Sequence, residues 1–236
     1  MNILFDLDGT LLPITNSNFE NFYYPAISSH LNKYGYDPKA CLYALKKGLK
    51  AMYEDKENSS NYDKFVEVFL ANSNFQHSEF DKLFNQFYGK DFYNLEKYLP
   101  AKNYSSSLIN KLKNHNLILA TNPLFPKRAQ QTRIELAGLD ENSFSYITMM
   151  ENSHYLKPNP LYFQEILEKN NLKSNEVIMI GNDYQEDYLP CKKLGIRCIL
   201  IKDFIMNHEG VDLSELELYS FKELESNLEN ILISKK

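Results

Sequence analysis

Four short runs of residues, 3–5, 117–120, 177–180 and 198–201, are apolar throughout instead of alternating apolar with polar. Strands that read this way are covered on both faces. Stretches with helical spacing lie between them. Parallel neighbours need a crossover that carries the chain back to the same end of the sheet, and a helix is the usual crossover. The pattern predicts an α/β core, a Rossmann-like parallel sheet with helices on both faces. Strands are expected at 2–7, 117–120, 146–149, 177–180 and 198–201. Helices are expected at 105–114, at 126–137 ahead of Gly138, and from Asn159-Pro160, an N-cap residue followed by proline at the first helical position. A further helix is expected at 186–194, stopped by Gly195. Ser220 and Glu223 form a capping box for a last helix carrying Leu224, Leu228 and Ile231.

One block breaks the alternation. Phe19, Phe22, Tyr23, Ile27 and Leu31 recur at helical spacing, as do Phe65, Val68 and Phe69, with Lys and Glu between them. This predicts about four amphipathic helices, closed off by Pro100 and Asn103. The expected organisation is a core of residues 1–14 and 99–236 with a helical cap inserted at 15–98. Residues 13–18 would link the two and act as a hinge. The cap's aromatic residues, Tyr23, Tyr24, Phe65, Phe69 and Tyr88 among them, are expected to pack its interior, with a few facing the site.

The chain has 236 residues, 43% of them hydrophobic, enough for a real core. Its net charge of −5 argues against general nucleic-acid binding, which needs clustered Lys and Arg, but leaves room for small anionic substrates. No basic leader precedes the first apolar run, and no stretch approaches a membrane span. A cytoplasmic protein is expected, with no membrane partner; the sequence does not reveal its oligomeric state. Cys41, Cys191 and Cys198 lack metal-ligand spacing and read as buried thiols.

The polar residues at the strand ends carry the chemistry. Open parallel sheets bind ligands at the C-terminal edge. Asp6 and Asp8 follow the first strand, Thr121 and Asn122 the second, and Asn182, Asp183 and Asp187 the run at 177–180. Lys157 lies in the loop before a helix. Asp6 and Asp8, one residue apart, point the same way in extended backbone. Converging carboxylates repel unless a cation or proton sits between them. With Asp183 they suit Mg²⁺, which takes oxygen ligands and keeps several waters.

Phe5-Asp6-Leu7-Asp8-Gly9-Thr10-Leu11-Leu12 resembles the first motif of the haloacid dehalogenase (HAD) superfamily. Residues 119–122 resemble its second motif, Lys157-Pro158-Asn159-Pro160-Leu161-Tyr162-Phe163 its third, and residues 178–183 with Asp187 its fourth. The helical block falls where that family places its C1-type cap. The resemblance implies that Asp6 attacks phosphorus and forms an aspartyl-phosphate, and that Asp8 is general acid and then base. It implies Mg²⁺ held by the Asp6 side chain, the Asp8 backbone carbonyl and an acid of the fourth motif. Thr121 and the Asn122 backbone N–H would bind the phosphoryl group, and Lys157 would balance its charge. An acid at Asp8 favours phosphate chemistry over dehalogenation. Thr10 is expected to bond locally and orient Asp8. Asp187 would reach the metal through water or position Lys157.

Two positions depart from the family pattern. Asn182 stands where an acid is usual, so Asp183 is the favoured third metal ligand and Asn182 the competitor. His154 stands where glycine is common and reads as a loop histidine, with a substrate contact as the other reading. Lys127 and Arg128 read as a solvated helix start, with contact to an anionic substrate tail as the alternative. The expected activity is a phosphatase acting on a small phosphorylated metabolite. A phosphomutase or other phosphotransferase, and a non-catalytic phosphometabolite-binding module, are the alternatives.

Overall fold

The computed structural model describes residues 1–54, 58–100 and 103–233. The ends of the expected core at residue 236 and of its second segment near 101–102 therefore lie partly outside the described residues. Among the described residues six strands form one sheet: β1 (Asn2–Phe5), β2 (Asn116–Leu119), β3 (Tyr146–Ile147), β4 (Val177–Gly181), β5 (Arg197–Ile201) and β6 (Leu218–Tyr219). Their spatial order is β3-β2-β1-β4-β5-β6, and every pairing is parallel. The chain thus builds outward from β1 to β3, then returns to the other side of β1 with β4. The crevice beside β1 is the topological switch point of the sheet.

The strands form where they do because both of their faces are buried. Ile3, Phe5, Leu117, Leu119, Ile178, Ile180, Ile199 and Ile201 belong to one hydrophobic cluster; Leu4, Ile118, Met179, Cys198 and Leu200 belong to the other. Leu4 is fully buried, so its truncation to Ala should cost about 2–5 kcal/mol.

The helical block holds α1 (Asn16–Asn32), α2 (Pro38–Ala51), α3 (Asn61–Ala71) and α4 (His77–Gly89), followed by a 3₁₀ segment, Asp91–Tyr98. Local caps start three of them: Thr15 accepts from Asn18 N–H, Asp37 from Ala40 N–H, and Ser60 with Asp63 closes a capping box. This block is tied to the sheet domain. Asn61 N–H donates to the Ser153 carbonyl at 2.8 Å, Lys64 Nζ to the His154 carbonyl at 2.7 Å, and Thr132 Oγ1 to the Tyr88 carbonyl at 2.8 Å.

The remaining helices are α5 (Ser106–Lys111), α6 (Lys127–Leu136), α7 (Pro160–Lys169), α8 (Leu189–Leu194), α9 (Phe221–Ser226) and α10 (Leu228–Ile233). Tyr162, Phe163, Ile166 and Leu167 of α7 cover the second face of the sheet. Asn159 caps α7 through Leu161 N–H, as its sequence predicts. Gly138 and Gly195, both at positive φ, stop α6 and α8.

Some boundaries differ from expectation. The first strand ends at Phe5, before the expected residue 7, because the Leu7 carbonyl accepts N–H bonds from Thr10, Leu11 and Leu12 and turns the chain. The strand expected at 146–149 is two residues long, since Met149 N–H is taken by the Asn152 side chain. The helix expected at 186–194 begins as a π-helical turn, Tyr184–Tyr188, capped by Asp183, and becomes α-helical at Leu189. The helix starting at Ser220 divides at Asn227. Strand β6 was not expected from the sequence: two residues are too few to show a period.

Candidate active site

The C-terminal ends of β1, β2 and β4 bring the polar residues together. Asp6, Asp8, Thr121, Asn122, Lys157, Asn182, Asp183 and Asp187 line one cavity of about 140 Å³. Asp6 continues β1, its N–H donating to the Ile180 carbonyl at 2.9 Å. Lys157 Nζ donates to Asp6 Oδ1 at 2.8 Å and to Asp187 Oδ1 at 2.6 Å. Asp187 Oδ2 accepts the N–H groups of Asn182 and Asp183, both at 3.0 Å. Asp187 therefore positions Lys157 and clamps the loop after β4. Gly181 makes room for this, because a Cβ there would lie 2.2 Å from Asp187 Oδ2.

The electrostatics follow from burial. Desolvation pushes the Asp6 carboxyl up to about 7; Lys157 opposes that shift and Asp187 adds to it. Burial alone would lower Lys157, but Asp187 and Asp6 outweigh it and hold the ammonium well above its ordinary range. Desolvation likewise raises Asp183, and raises Glu186 to about 7. Among the described residues, five carboxyl groups and two cations, Lys157 and Arg133, face this cavity.

Thr121 is held through its backbone: its carbonyl accepts from Thr148 Oγ1 at 2.6 Å and Tyr162 Oη at 2.8 Å. The Asn122 side chain accepts Lys157 N–H at 3.3 Å and donates to Glu186 Oε2 at 3.0 Å. Asn182 and Asp183 are committed differently. Asn182 Oδ1 accepts from Thr10 Oγ1 at 3.1 Å, and its Nδ2 donates to the Phe204 carbonyl at 2.7 Å. Both ends of its amide are engaged. Asp183 uses Oδ1 to cap Gln185 and Glu186 N–H groups, at 2.7 and 2.8 Å, and Oδ2 takes no part in that cap. Thr10 thus bonds to Asn182, not locally to Asp8 as expected. Gly9 sits at φ +77°, and a Cβ on it would stand 2.3 Å from Asn182 Nδ2, so this turn requires glycine.

Two residues of the site escape a sequence reading. Arg133 of α6 is 1% exposed and pairs with Asp8; its Nη1 donates to Gln130 Oε1 at 2.6 Å and its guanidinium lies 4.9 Å from the Phe125 ring centre. Glu186 anchors Asn122. The signal for Arg133 was an arginine on the same helical face as Ala129 and Gln130, but its partner lies 125 positions away.

Other candidates fall elsewhere. His154 Nδ1 pairs with Glu165 Oε1 at 2.5 Å, away from the cavity. The Lys127 backbone N–H binds Glu151, and Arg128 Nη2 donates to Tyr93 Oη at 3.4 Å. Phe69 is packing, whereas Tyr23, Tyr24, Phe65 and Tyr88 line a second cavity of about 520 Å³ between the helical block and the sheet domain. The three cysteines are buried and free.

Among the described residues, no three His, Cys, Asp or Glu side chains form a metal-binding group. The donors on the cavity instead suit an ion that takes few protein ligands. Asp6 and Asp183 both carry carboxyls raised by burial, in surroundings with surplus negative charge, which a hard divalent cation retaining its waters would relieve. No helix among the described residues is long and apolar enough to cross a membrane.

Comparison with known proteins agrees with this fold. The haloacid dehalogenase-like hydrolase family model matches residues 3–201. Haloacid dehalogenase-like hydrolase domain-containing protein 3 of Danio rerio is 33% identical over 89 residues, 37% of this chain and 36% of that protein, so the match spans about a third of the relative. A HAD phosphatase from Thermococcus onnurineus is similar in fold, with TM-score 0.56 and 18% identity over 99% of this chain and 98% of the other. So is the magnesium-bound putative HAD-hydrolase YfnB of Bacillus subtilis, with TM-score 0.54 and 18% identity over 98% of both chains. A mutant CbbY from Rhodobacter sphaeroides, in complex with xylulose-(1,5)bisphosphate, gives TM-score 0.56 and 17% identity over 94% of this chain and 95% of that one. The extent of the family match establishes that this chain belongs to the haloacid dehalogenase-like hydrolases and is an enzyme of that family.

Proposed function

We propose that the chain is a cytoplasmic, Mg²⁺-dependent phosphatase that hydrolyses a small phosphomonoester through an aspartyl-phosphate on Asp6. The observation that carries this reading is the chain Asp6–Lys157–Asp187, two contacts of 2.8 and 2.6 Å buried beneath a cavity that Thr121 and Asp8 also line. Lys157 fixes one Asp6 oxygen, so the carboxylate presents a defined face to phosphorus. In the first step an Asp6 oxygen forms a bond to phosphorus as the ester P–O bond breaks. The proton of Asp8 passes to the departing alkoxide, which leaves as the alcohol. In the second step Asp8 takes a proton from water, the water oxygen bonds to phosphorus, and the acyl-phosphate P–O bond breaks to return Asp6 and inorganic phosphate. The Thr121 hydroxyl, the Asn122 N–H and Lys157 hold the phosphoryl oxygens.

Mg²⁺, held by Asp6, the Asp8 carbonyl and Asp183, would supply charge neutralisation for the phosphoryl oxygens. Asp183 is preferred over Asn182 because its Oδ2 lies outside the local cap, whereas both ends of the Asn182 amide are used. Residues 15–98 act as the cap that covers the site, with 1–14 and 99–236 as the core. The test is release of inorganic phosphate from a panel of metabolite phosphomonoesters, with and without Mg²⁺. Turnover abolished by Asp6→Asn is the expected result; no turnover of any ester by folded protein overturns the reading.

A further inference from the structure

The larger cavity, about 520 Å³, meets the catalytic one at Asp8, Asn16, Leu124 and Phe125, which line both. Its position follows from the chemistry already assigned. Asp8 is the group that protonates the departing oxygen, so the alcohol portion of a substrate projects past Asp8, into this cavity. The volume lies in the range of pockets that enclose small organic ligands.

Its walls have a distinct chemistry. Phe19, Tyr24, Phe84, Tyr88 and Phe125 present aromatic faces and edges to the space. Its titratable side chains beyond Asp8 and the tyrosines are acidic in type: Glu20, Asp81 and Glu151, with no Lys, Arg or His among the described lining residues. Tyr62 Oη holds Asp81, and Lys127 N–H holds Glu151 at 2.9 and 3.1 Å through its two oxygens, so both carboxylates are fixed in place. Rings stack on aromatic walls, whereas a second phosphate or carboxylate would meet three carboxyl groups on a wall that presents no basic side chain; Lys127, which acts on Glu151, and His77, 3.8 Å from Asp81, stand outside the lining. Resting on the phosphatase reading above, we infer that the substrate is a phosphomonoester whose alcohol part carries a flat aromatic or heteroaromatic ring and no second anionic charge. A nucleoside monophosphate and a simple arylmethyl phosphate share this chemistry.

The experiment compares kcat/KM for uridine 5′-monophosphate and benzyl phosphate with that for glycerol 3-phosphate, 2-phosphoglycolate and fructose 1,6-bisphosphate, with Mg²⁺ present. At least one aromatic ester should exceed all three aliphatic ones by about tenfold or more; which one leads separates a nucleoside from a bare ring. Tyr24→Ala should raise KM for the aromatic ester, and Glu20→Lys, at an exposed position, should shift the ratio toward 2-phosphoglycolate and the bisphosphate. Thermal melts confirm that each variant folds. An aliphatic or doubly anionic ester hydrolysed as well as the aromatic ones overturns the inference and leaves the phosphatase reading standing. Ratios unmoved by both variants also overturn it, since the alcohol then lies elsewhere. Absence of turnover on all five overturns the phosphatase reading, and the substrate assignment falls with it.

Discussion

Arg133 grips Asp8 along one edge of its guanidinium: Nε donates to Oδ1 at 3.3 Å, and Nη2 donates to Oδ2. The same Nη2 lies 3.5 Å from Thr121 Oγ1. One buried cation therefore connects the proposed acid to the proposed phosphate ligand, and Gln130 and the Phe125 ring hold that cation from behind. The fork geometry is specific to arginine. Arg133→Met should lower kcat by about 10²-fold, the lower end of what a positioned acid contributes. Arg133→Lys should restore little of it, because a single ammonium cannot span both oxygens. Rates for a substrate with a good leaving group should suffer less, and that difference in steady-state kinetics distinguishes loss of acid positioning from loss of fold.

Asp6→Asn keeps the shape of the side chain and removes the nucleophile. Activity should fall by at least about 10³-fold, as for other covalent catalysts stripped of the attacking group. Acid-quenched native enzyme should carry one phosphoryl group on the peptide containing Asp6, detected as a mass increase. Recovery of that label on the Asp6→Asn protein would rule out Asp6 as the site.

The rivalry between Asp183 and Asn182 has different consequences for each. Asp183→Asn should raise the Mg²⁺ concentration for half-maximal activity by about 10–100-fold or more, the range seen even for groups behind a metal ligand. Asn182→Ala loses the Thr10 and Phe204 contacts. It should cost about 1 kcal/mol of stability per hydrogen bond, with a smaller shift in metal dependence. Metal titrations alongside denaturant melts decide the matter; the reverse assignment of effects would make Asn182 the ligand.

A pH effect on stability is expected away from the site. Asp91 accepts from His30 Nδ1 at 2.9 Å and from Lys33 Nζ at 3.3 Å. The His30 hydrogen bond is the main reason its carboxyl is held below the ordinary value, with Lys33 adding to it. A carboxyl lowered on folding contributes stability above its unfolded value, near 3.9, and loses it as pH falls through the folded value. Asp91→Asn should flatten the acid limb of the melting-temperature profile below about pH 4. An unchanged limb would mean that the contact contributes nothing to the acid response.

Part of the proposed site was legible because several of its residues close an apolar run at the C-terminal edge of the sheet. Asp6 follows Phe5, Thr121 follows Ala120, and Asn182 follows Gly181; strand periodicity and the need for a turn mark them. Arg133 was not legible. On α6, amid Lys127, Arg128, Gln131 and Glu135, it reads as one more solvated charge, and only the tertiary fold places Asp8 and Phe125 against it. The π-helical turn at Tyr184–Tyr188 was missed for a related reason. Its geometry comes from Asp187 folding back onto Asn182 and Asp183 N–H groups, a demand of the site that helical propensity does not encode. The apolar pattern of the helical block revealed its helices but not the cavity, because the same aromatic residues serve packing and lining alike.

The close approach of Gly9 and Asn182 has an evolutionary consequence. The turn after β1 and the loop after β4 share one small volume, filled by the Asn182 amide where a side chain at position 9 would otherwise stand. That amide donates to the Phe204 carbonyl and accepts from Thr10. Replacing it with an acid would turn the first contact from attraction to repulsion and add a further negative charge beside Asp6. Positions 9, 10, 182 and 204 are therefore expected to drift together. A lineage that acquired an acid at 182 would need a compensating change around Phe204, while Asp183 would still be required to cap the Gln185 and Glu186 N–H groups.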